Sequence, residues 1–182
     1  MAENKNNFKK SVKMHLACRP DPQRPAYGYI QFQDGFAYAS DGHIAVRNRI
    51  KEISGLNQAE IEALDGKFLQ SEFYRDMLKY EEILIAEDGI ECKSGEDRVF
   101  FYFSTVENPI DIKKVIDEHL TMPERSVETI SLNMKYLMDL SKAMYQCESC
   151  TFIFHGEGRG VMLESNDKDV NSVGLIMPII NP

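Results

Sequence analysis

At 182 residues, with 43% hydrophobic and 27% charged side chains, the chain has the composition of a soluble globular protein and the length to bury a core without staples. No apolar run approaches the roughly 18 residues of a membrane helix, and the start MAENKNNFKK lacks the apolar stretch of a signal peptide, so a cytoplasmic setting is expected. The net charge of -8 argues against nucleic acid at face value, yet Lys5, Lys9, Lys10, Lys13, Arg19 and Arg24 face Asp21 alone over residues 5–24, a segment of +5 that leaves -13 for the rest.

Phe8, Val12 and Leu16, four apart, predict a first helix with Lys9 and Lys13 on another face, ended by Pro20, Pro22 and Pro25. The alternating run AYGYIQFQ, the turn Asp34-Gly35 and the run FAYAS predict a hairpin, and HIAVRNRI a third strand. Residues 51–66 are polar and read as a connection. KFLQ then predicts a strand and SEFYRDMLKY a short helix opened by Ser71 and Glu72 that buries Phe73, Tyr74 and Met77. Strands EILIAE, IECKS and RVFFYFS follow, and Pro109 to Pro123 reads as a linker. TISL predicts a strand, after which Asn133 caps the helix MKYLMDLSKAMYQ with Met134, Leu137, Met138, Met144 and Tyr145 as its apolar stripe. CTFIFHG, GVMLES and SVGLIMPII close the chain as strands.

The pattern of strand, short helix and three strands thus occurs three times, the first copy lacking a recognisable leading strand. A repeated unit too small to close its own apolar face must pack on its neighbours, which predicts an α+β architecture of antiparallel sheets with helices on one face. The lone C-x-x-C of Cys147 and Cys150 has no second pair near it, and His155 is the nearest extra ligand. Reduced thiols are the expectation there, with no metal site.

In the stretch AYASDGHIAVR, Asp41 and His43 stand two apart as a catalytic pair, a metal site or a turn. Asp-Gly permits the positive φ of a tight turn, and no third orienting group or nucleophile accompanies the two. A structural turn or pocket wall is the favoured reading, with an enzyme centred on Asp41 and His43 as the rival.

Several stretches together resemble the bacterial beta sliding clamp, the processivity ring of the replicative DNA polymerase. YIQFQDGFAYASDGHIAVR resembles the clamp segment in which a hairpin leads into a T-D-G-H-R-L-A run, although Ile44 stands here where the family has arginine. ISLNMKYLMDLSKAM resembles the strand-helix entry of the last half-domain, and SVGLIMPII the C-terminal strand that finishes in V-M-P. FLQSEFYRDMLKY through VFFYFSTVENPIDIKKVI resembles a further half-domain. Departures are the length, about half the family's, and an Ile-Ile-Asn-Pro tail without the usual positive end.

The resemblance implies repeated β-α-β-β-β units: a domain of two over residues 1–120, the first incomplete, and a third half-domain over 121–182. It implies a pocket for linear peptides of polymerases and other clients between Ser40, Gly42 and His43 on one side and Leu175, Ile176, Met177 and Pro178 on the other. It also implies non-sequence-specific contact with double-stranded DNA, for which the basic candidates are Lys9, Lys10, Lys13, Arg19, Arg24, Arg75, Lys79, Lys135 and Lys142. No catalytic residue, metal or cofactor is expected. The family's ring has twelve units, so three units per chain would need self-association, with the odd third unit seeking an edge in another copy. A peptide-binding adaptor or decoy that has lost the ring is the alternative.

Overall fold

The computed structural model describes residues 6–179; Lys5 of the basic segment and the tail from Ile180 to Pro182 lie outside the described residues. Ten strands form two antiparallel sheets. The larger contains β1 (Tyr29–Gln33), β2 (Phe36–Ser40), β3 (Ile44–Arg49), β4 (Phe68–Gln70), β8 (Cys150–Ile153), β9 (Val161–Ser165) and β10 (Ser172–Ile176), in the order β4-β1-β2-β3-β10-β9-β8. The smaller is the meander of β5 (Glu82–Ile85), β6 (Gly89–Ser94) and β7 (Asp97–Tyr102).

The β1–β2 hairpin forms where Asp34-Gly35 predicts it. Both residues adopt positive φ, 52° and 76°, and the register pairs Gln33 with Phe36. Such a two-residue turn matches the right-handed twist of the strands it joins.

Alternation divides the side chains of the large sheet between two environments. Ile30, Phe32, Ala37, Ala39, Ile44, Val46, Val161, Leu163 and Ile176 enter one core. Tyr38, Ala45, Met162, Val173 and Leu175 enter a second, on the opposite face. The main core also takes Ile83, Ile90 and Cys92 from the small sheet, together with α3 (Ser71–Met77) and α5 (Met134–Ala143) through Tyr74, Met77, Leu140 and Ala143. Gly174 lets α5 approach β10, since a Cβ there would stand 2.6 Å from Met144 Sδ and 3.0 Å from Leu140. The expected α+β class of antiparallel sheets with helices is what the chain forms, with β4, α3, β5, β6 and β7 as the complete β-α-β-β-β unit among the described residues.

Six local expectations change. The first helix is replaced by an extended segment and a 3-10 turn, Met14–Ala17. Phe8 and Val12 are buried as expected, but Leu16 is only half-buried and Met14 and Ala17 take the core positions. The reason is where the backbone donors go. The Lys9 amide donates to Ile53 O at 2.7 Å and the Lys13 amide to Lys142 O at 2.8 Å, so neighbours satisfy what a helical ladder would have used. The connection at 51–66 holds two short helices, α1 (Ile50–Ile53) and α2 (Gln58–Ala63), the second opened by a capping box between Asn57 and Glu60.

The Pro109–Pro123 linker holds α4 (Ile112–Leu120), which lies across the face opposite α3 and α5. TISL forms no ladder; Ser131 O only accepts the Ile179 amide at 2.8 Å. Met134 and Met138 of the expected α5 stripe are 63% and 54% exposed, while Leu140 and Ala143 are buried in their place. Cys147 and Cys150 are joined as a disulfide rather than reduced. The turn between α5 and β8 brings their Cα atoms to 5.8 Å, within bridging range. Finally, β10 pairs with β3 over five residues, joining the third unit to the first within one sheet and leaving β8 of the third unit as that sheet's edge.

Candidate partner-binding cleft and basic face

The turn between β2 and β3 is built from its own side chains. Asp41 Oδ1 accepts from the amides of His43 at 2.8 Å and Ile44 at 2.9 Å. Ser40 Oγ donates to Ile44 O at 2.8 Å and accepts from the Gly42 amide at 3.1 Å. Gly42 sits at φ 88°, and a Cβ there would come within 3.1 Å of the Tyr27 ring, so both conformation and space select glycine. Asp41 is buried at 8% exposure and its Oδ1 is occupied by backbone, while His43 Nδ1 stands 3.9 Å away, outside hydrogen-bond reach. Asp41 therefore serves the turn, and it forms no hydrogen bond with the His43 ring. Among the described residues no group of three or more histidines, cysteines or carboxylates could hold a metal.

His43 is held by stacking instead. Its half-exposed ring lies 4.8 Å from that of Tyr136 on α5, at 23°. Its backbone carbonyl accepts from the Met177 amide at 2.8 Å, which ties the turn to the end of β10. Behind the turn lies Cys18, whose Sγ donates to Tyr29 O; burial, and then the Asp41 charge, push its thiol pKa well up.

Between this turn, the end of β10 and α4 opens a cleft of about 180 Å³. It brings together Ser40, Gly42, His43, Leu175 and Met177, five of the seven pocket residues expected from the sequence. Ile176 and Pro178 are not among its walls; Ile176 points the other way, into the main core at 0% exposure. The walls that sequence reasoning missed are Tyr27, Ile44, Ala45, Ile110, Ile112 and Val115. Ile112 and Ile116, four apart behind Asp111, were the available signal. Asp111 Oδ1 accepts from the Lys114 amide at 2.9 Å and so caps α4. Met177, at 39% exposure, and Val115, also 39%, give the cleft a pliable apolar rim.

The helix forming that wall is fastened to the sheet by charge and packing. Arg47 of β3 reaches Asp117 at 3.5 Å and lies over the Phe36 ring at 5.0 Å, while Asp117 also binds Lys113 at 2.9 Å. Beneath it Tyr38 is buried, and its hydroxyl pKa is pushed up to about 12, chiefly by desolvation.

The basic candidates divide by position. All nine are exposed. Lys13 and Arg75 flank His15, whose pKa is lowered first by burial and then by those two cations. Lys13 meets Lys142 through its backbone, and the Lys9 ammonium sits over the Tyr145 ring and contacts its hydroxyl. Lys9, Lys13, Arg75 and Lys142 thus gather around the 3-10 turn between α3 and α5. Lys79 and Arg75 both engage Asp76, at 2.7 and 3.2 Å, which offsets part of their charge. Lys10 follows Lys9 in the extended segment, and Lys135 lies in the first turn of α5, away from Lys142 in its last. Arg19 and Arg24 occupy the proline loop, where the Arg19 amide donates to Tyr27 O beside the cleft.

Two antiparallel sheets that share a main core with α3 and α5, and a second, smaller core under α4, define a DNA-clamp fold. More particularly, the fold is that of the bacterial DNA polymerase III beta sliding clamp. The beta chain from Streptococcus pneumoniae superposes with a TM-score of 0.63 at 16% identity, covering 94% of this chain and 61% of the other. The beta subunit from Borrelia burgdorferi, in complex with a natural product, gives 0.68 at 10%, covering 98% and 63%. The sliding clamp from Bartonella birtlesii, bound to griselimycin, gives 0.65 at 13%, covering 94% and 64%. The chain spans under two thirds of the length of these clamps. No protein-family model and no curated protein matches its sequence.

Proposed function

We propose that the protein is a clamp-type accessory factor of DNA replication or repair that works without catalysis. It captures linear apolar peptide segments of polymerases or other DNA-handling proteins in the cleft between the Asp41–His43 turn and Met177. It rests on double-stranded DNA through the cations around the 3-10 turn, in the cytoplasm, as a homo-oligomer. The division into a two-unit domain over residues 1–120 and a third unit over 121–182 belongs to the same proposal.

The observation that carries it is the coincidence of a clamp fold with an apolar cleft at the end of the last strand. Peptide sites are mostly apolar, concave and furnished with few polar groups, and here Ser40, Gly42 and His43 supply the polar edge. The test is fluorescence anisotropy with peptides taken from the DNA polymerases of the same organism. Val115→Glu places a charge in the cleft at a half-exposed position and is expected to abolish capture, while Met177→Ala weakens it. Unchanged peptide affinity in both variants would falsify the cleft assignment.

One observation favours a second reading, an adaptor or decoy that binds clients without embracing DNA. Asp76 offsets Arg75 and Lys79, and the chain carries a net charge of -8. On that reading charge reversal at Lys13 leaves function intact while the cleft variants destroy it.

A further inference from the structure

Where the last turn of α4 meets the loop between β8 and β9, two imidazoles face each other. The rings of His119 and His155 lie 6.0 Å apart, edge to face at 68°. Each is oriented at Nδ1 by a backbone carbonyl, Val115 O at 2.8 Å for His119 and Pro123 O at 3.3 Å for His155. A carbonyl only accepts, so in both neutral rings the proton sits on Nδ1 and Nε2 carries a lone pair. His155 is buried at 8% exposure, and among the described residues its Nε2 has no hydrogen-bond partner. The His119 Nε2 lies beside Gly160, only 3.0 Å from where a Cβ would stand, so any side chain at that position would crowd it. A buried acceptor without a donor costs stability, and such an atom calls for an explanation.

We propose that His119 and His155 form a two-imidazole site for a divalent transition metal ion of zinc's class, bound through both Nε2 atoms with water completing the shell. Imidazole nitrogen suits zinc, nickel and copper, and an Nδ1–H anchored on a carbonyl is the usual support of a metal-ligating histidine. Zinc–nitrogen bonds of about 2.0–2.1 Å at a tetrahedral angle put ring centres roughly 5 Å apart. Binding therefore requires the half-buried His119 ring to move ~1 Å toward His155. The Arg125 side chain passes Gly156 in the same loop and opposes a cation, which makes the expected affinity modest. An ion there fastens the end of α4 to the β8–β9 loop. The same helix presents Ile112 and Val115 to the cleft, but the site does not depend on what the cleft binds.

The test is calorimetric titration of zinc and of nickel into the metal-free full chain. The expected result is one saturable ion per chain, weakened tenfold or more in His119→Ala and unchanged in His43→Ala, the half-exposed histidine of the β2–β3 turn. Zinc is expected to raise the melting temperature of the parent chain and of His43→Ala but not of His119→Ala. Because His155 is buried, nitrogen NMR of the imidazoles in the unsubstituted chain replaces its mutation: both rings should carry the proton on Nδ1, with the Nε2 signals moving on addition of zinc. Equal affinity in His119→Ala, no saturable binding, or a protonated Nε2 in either ring overturns the proposal.

Discussion

Asn48 is wholly buried in β3, and its amide joins three elements. Its Nδ2 donates to Ala143 O at 2.9 Å, and its Oδ1 accepts from the Tyr145 amide at 3.0 Å and from Ser172 Oγ at 2.7 Å. The last turn of α5, the start of β10 and β3 are thus held by one side chain in a setting where an unpaired polar group costs about 1–3 kcal/mol. Asn48→Ala is expected to cost about 2 kcal/mol or more, read as a lower urea midpoint at unchanged slope. The two free thiols give a second residue-scale expectation. Burial pushes Cys92 up from 9.0 to about 12, and Cys18 higher. Both thiols stay neutral in the folded chain, so alkylation should reach them only on unfolding. The sign for stability follows: below pH 9 neither state is charged and nothing is lost, whereas from about 9 toward 12 the unfolded thiols ionise first and stability falls as pH rises. Buried Tyr38, also raised to about 12, gives a fall of its own above pH 10, so a shallower decline across that range in a chain with Cys92→Ala and Cys18→Ala than in the parent is the measurable difference.

At the scale of elements, α4 is the piece on which the cleft depends, and its hold on the sheet is narrow. Ile112 and Ile116 are its buried residues, set against Tyr38, Ala45 and Leu175. Ile116→Ala is expected to cost about 2–4 kcal/mol of local or global stability. Limited proteolysis should then cut first within 104–125, before any strand of the large sheet, and peptide capture should fall with it. Cleavage elsewhere first would mean that α4 is not a separable wall.

This helix also marks where legibility ended. The β1–β2 hairpin, the Asp41 turn and strands β5 to β10 were readable because alternation and turn residues act over two to four neighbours. Helix α4 carries only two fully buried residues, between Pro109 and Pro123, and its other stabilising contacts, Lys113–Asp117 and Lys114–Glu118, look like a solvated charge run. The first segment misled in the opposite direction. Phe8 and Val12 have helical spacing, but their backbone is claimed by Ile53 and Lys142, partners 44 and 129 residues away from Lys9 and Lys13, and no local pattern records that. Half of the cleft was legible for the same reason: the β2–β3 turn and β10 are local signals, whereas α4 joins them only through tertiary packing.

Across the whole molecule, two surfaces serve two different partners in the proposed role, and charge separates them. The cleft lies on the α4 face of the large sheet, and the cations Lys9, Lys13 and Lys142 gather on the opposite side, around α3, α5 and the 3-10 turn. Lys13 and Lys142 have no acidic partner among the described residues, so their charge is available to phosphates. Contacts of this kind release counterions, and log affinity falls against log salt with a slope of about -0.9 per phosphate neutralised. These two together with Lys9 give a slope of roughly -3, modest enough to favour an assembly of several chains for retention at physiological salt. The double charge reversal Lys13→Glu with Lys142→Glu should remove about two units of that slope while leaving peptide capture untouched; Val115→Glu should do the reverse. A salt slope near zero in the parent chain, or one the double reversal does not change, leaves the basic face without a role and favours the adaptor.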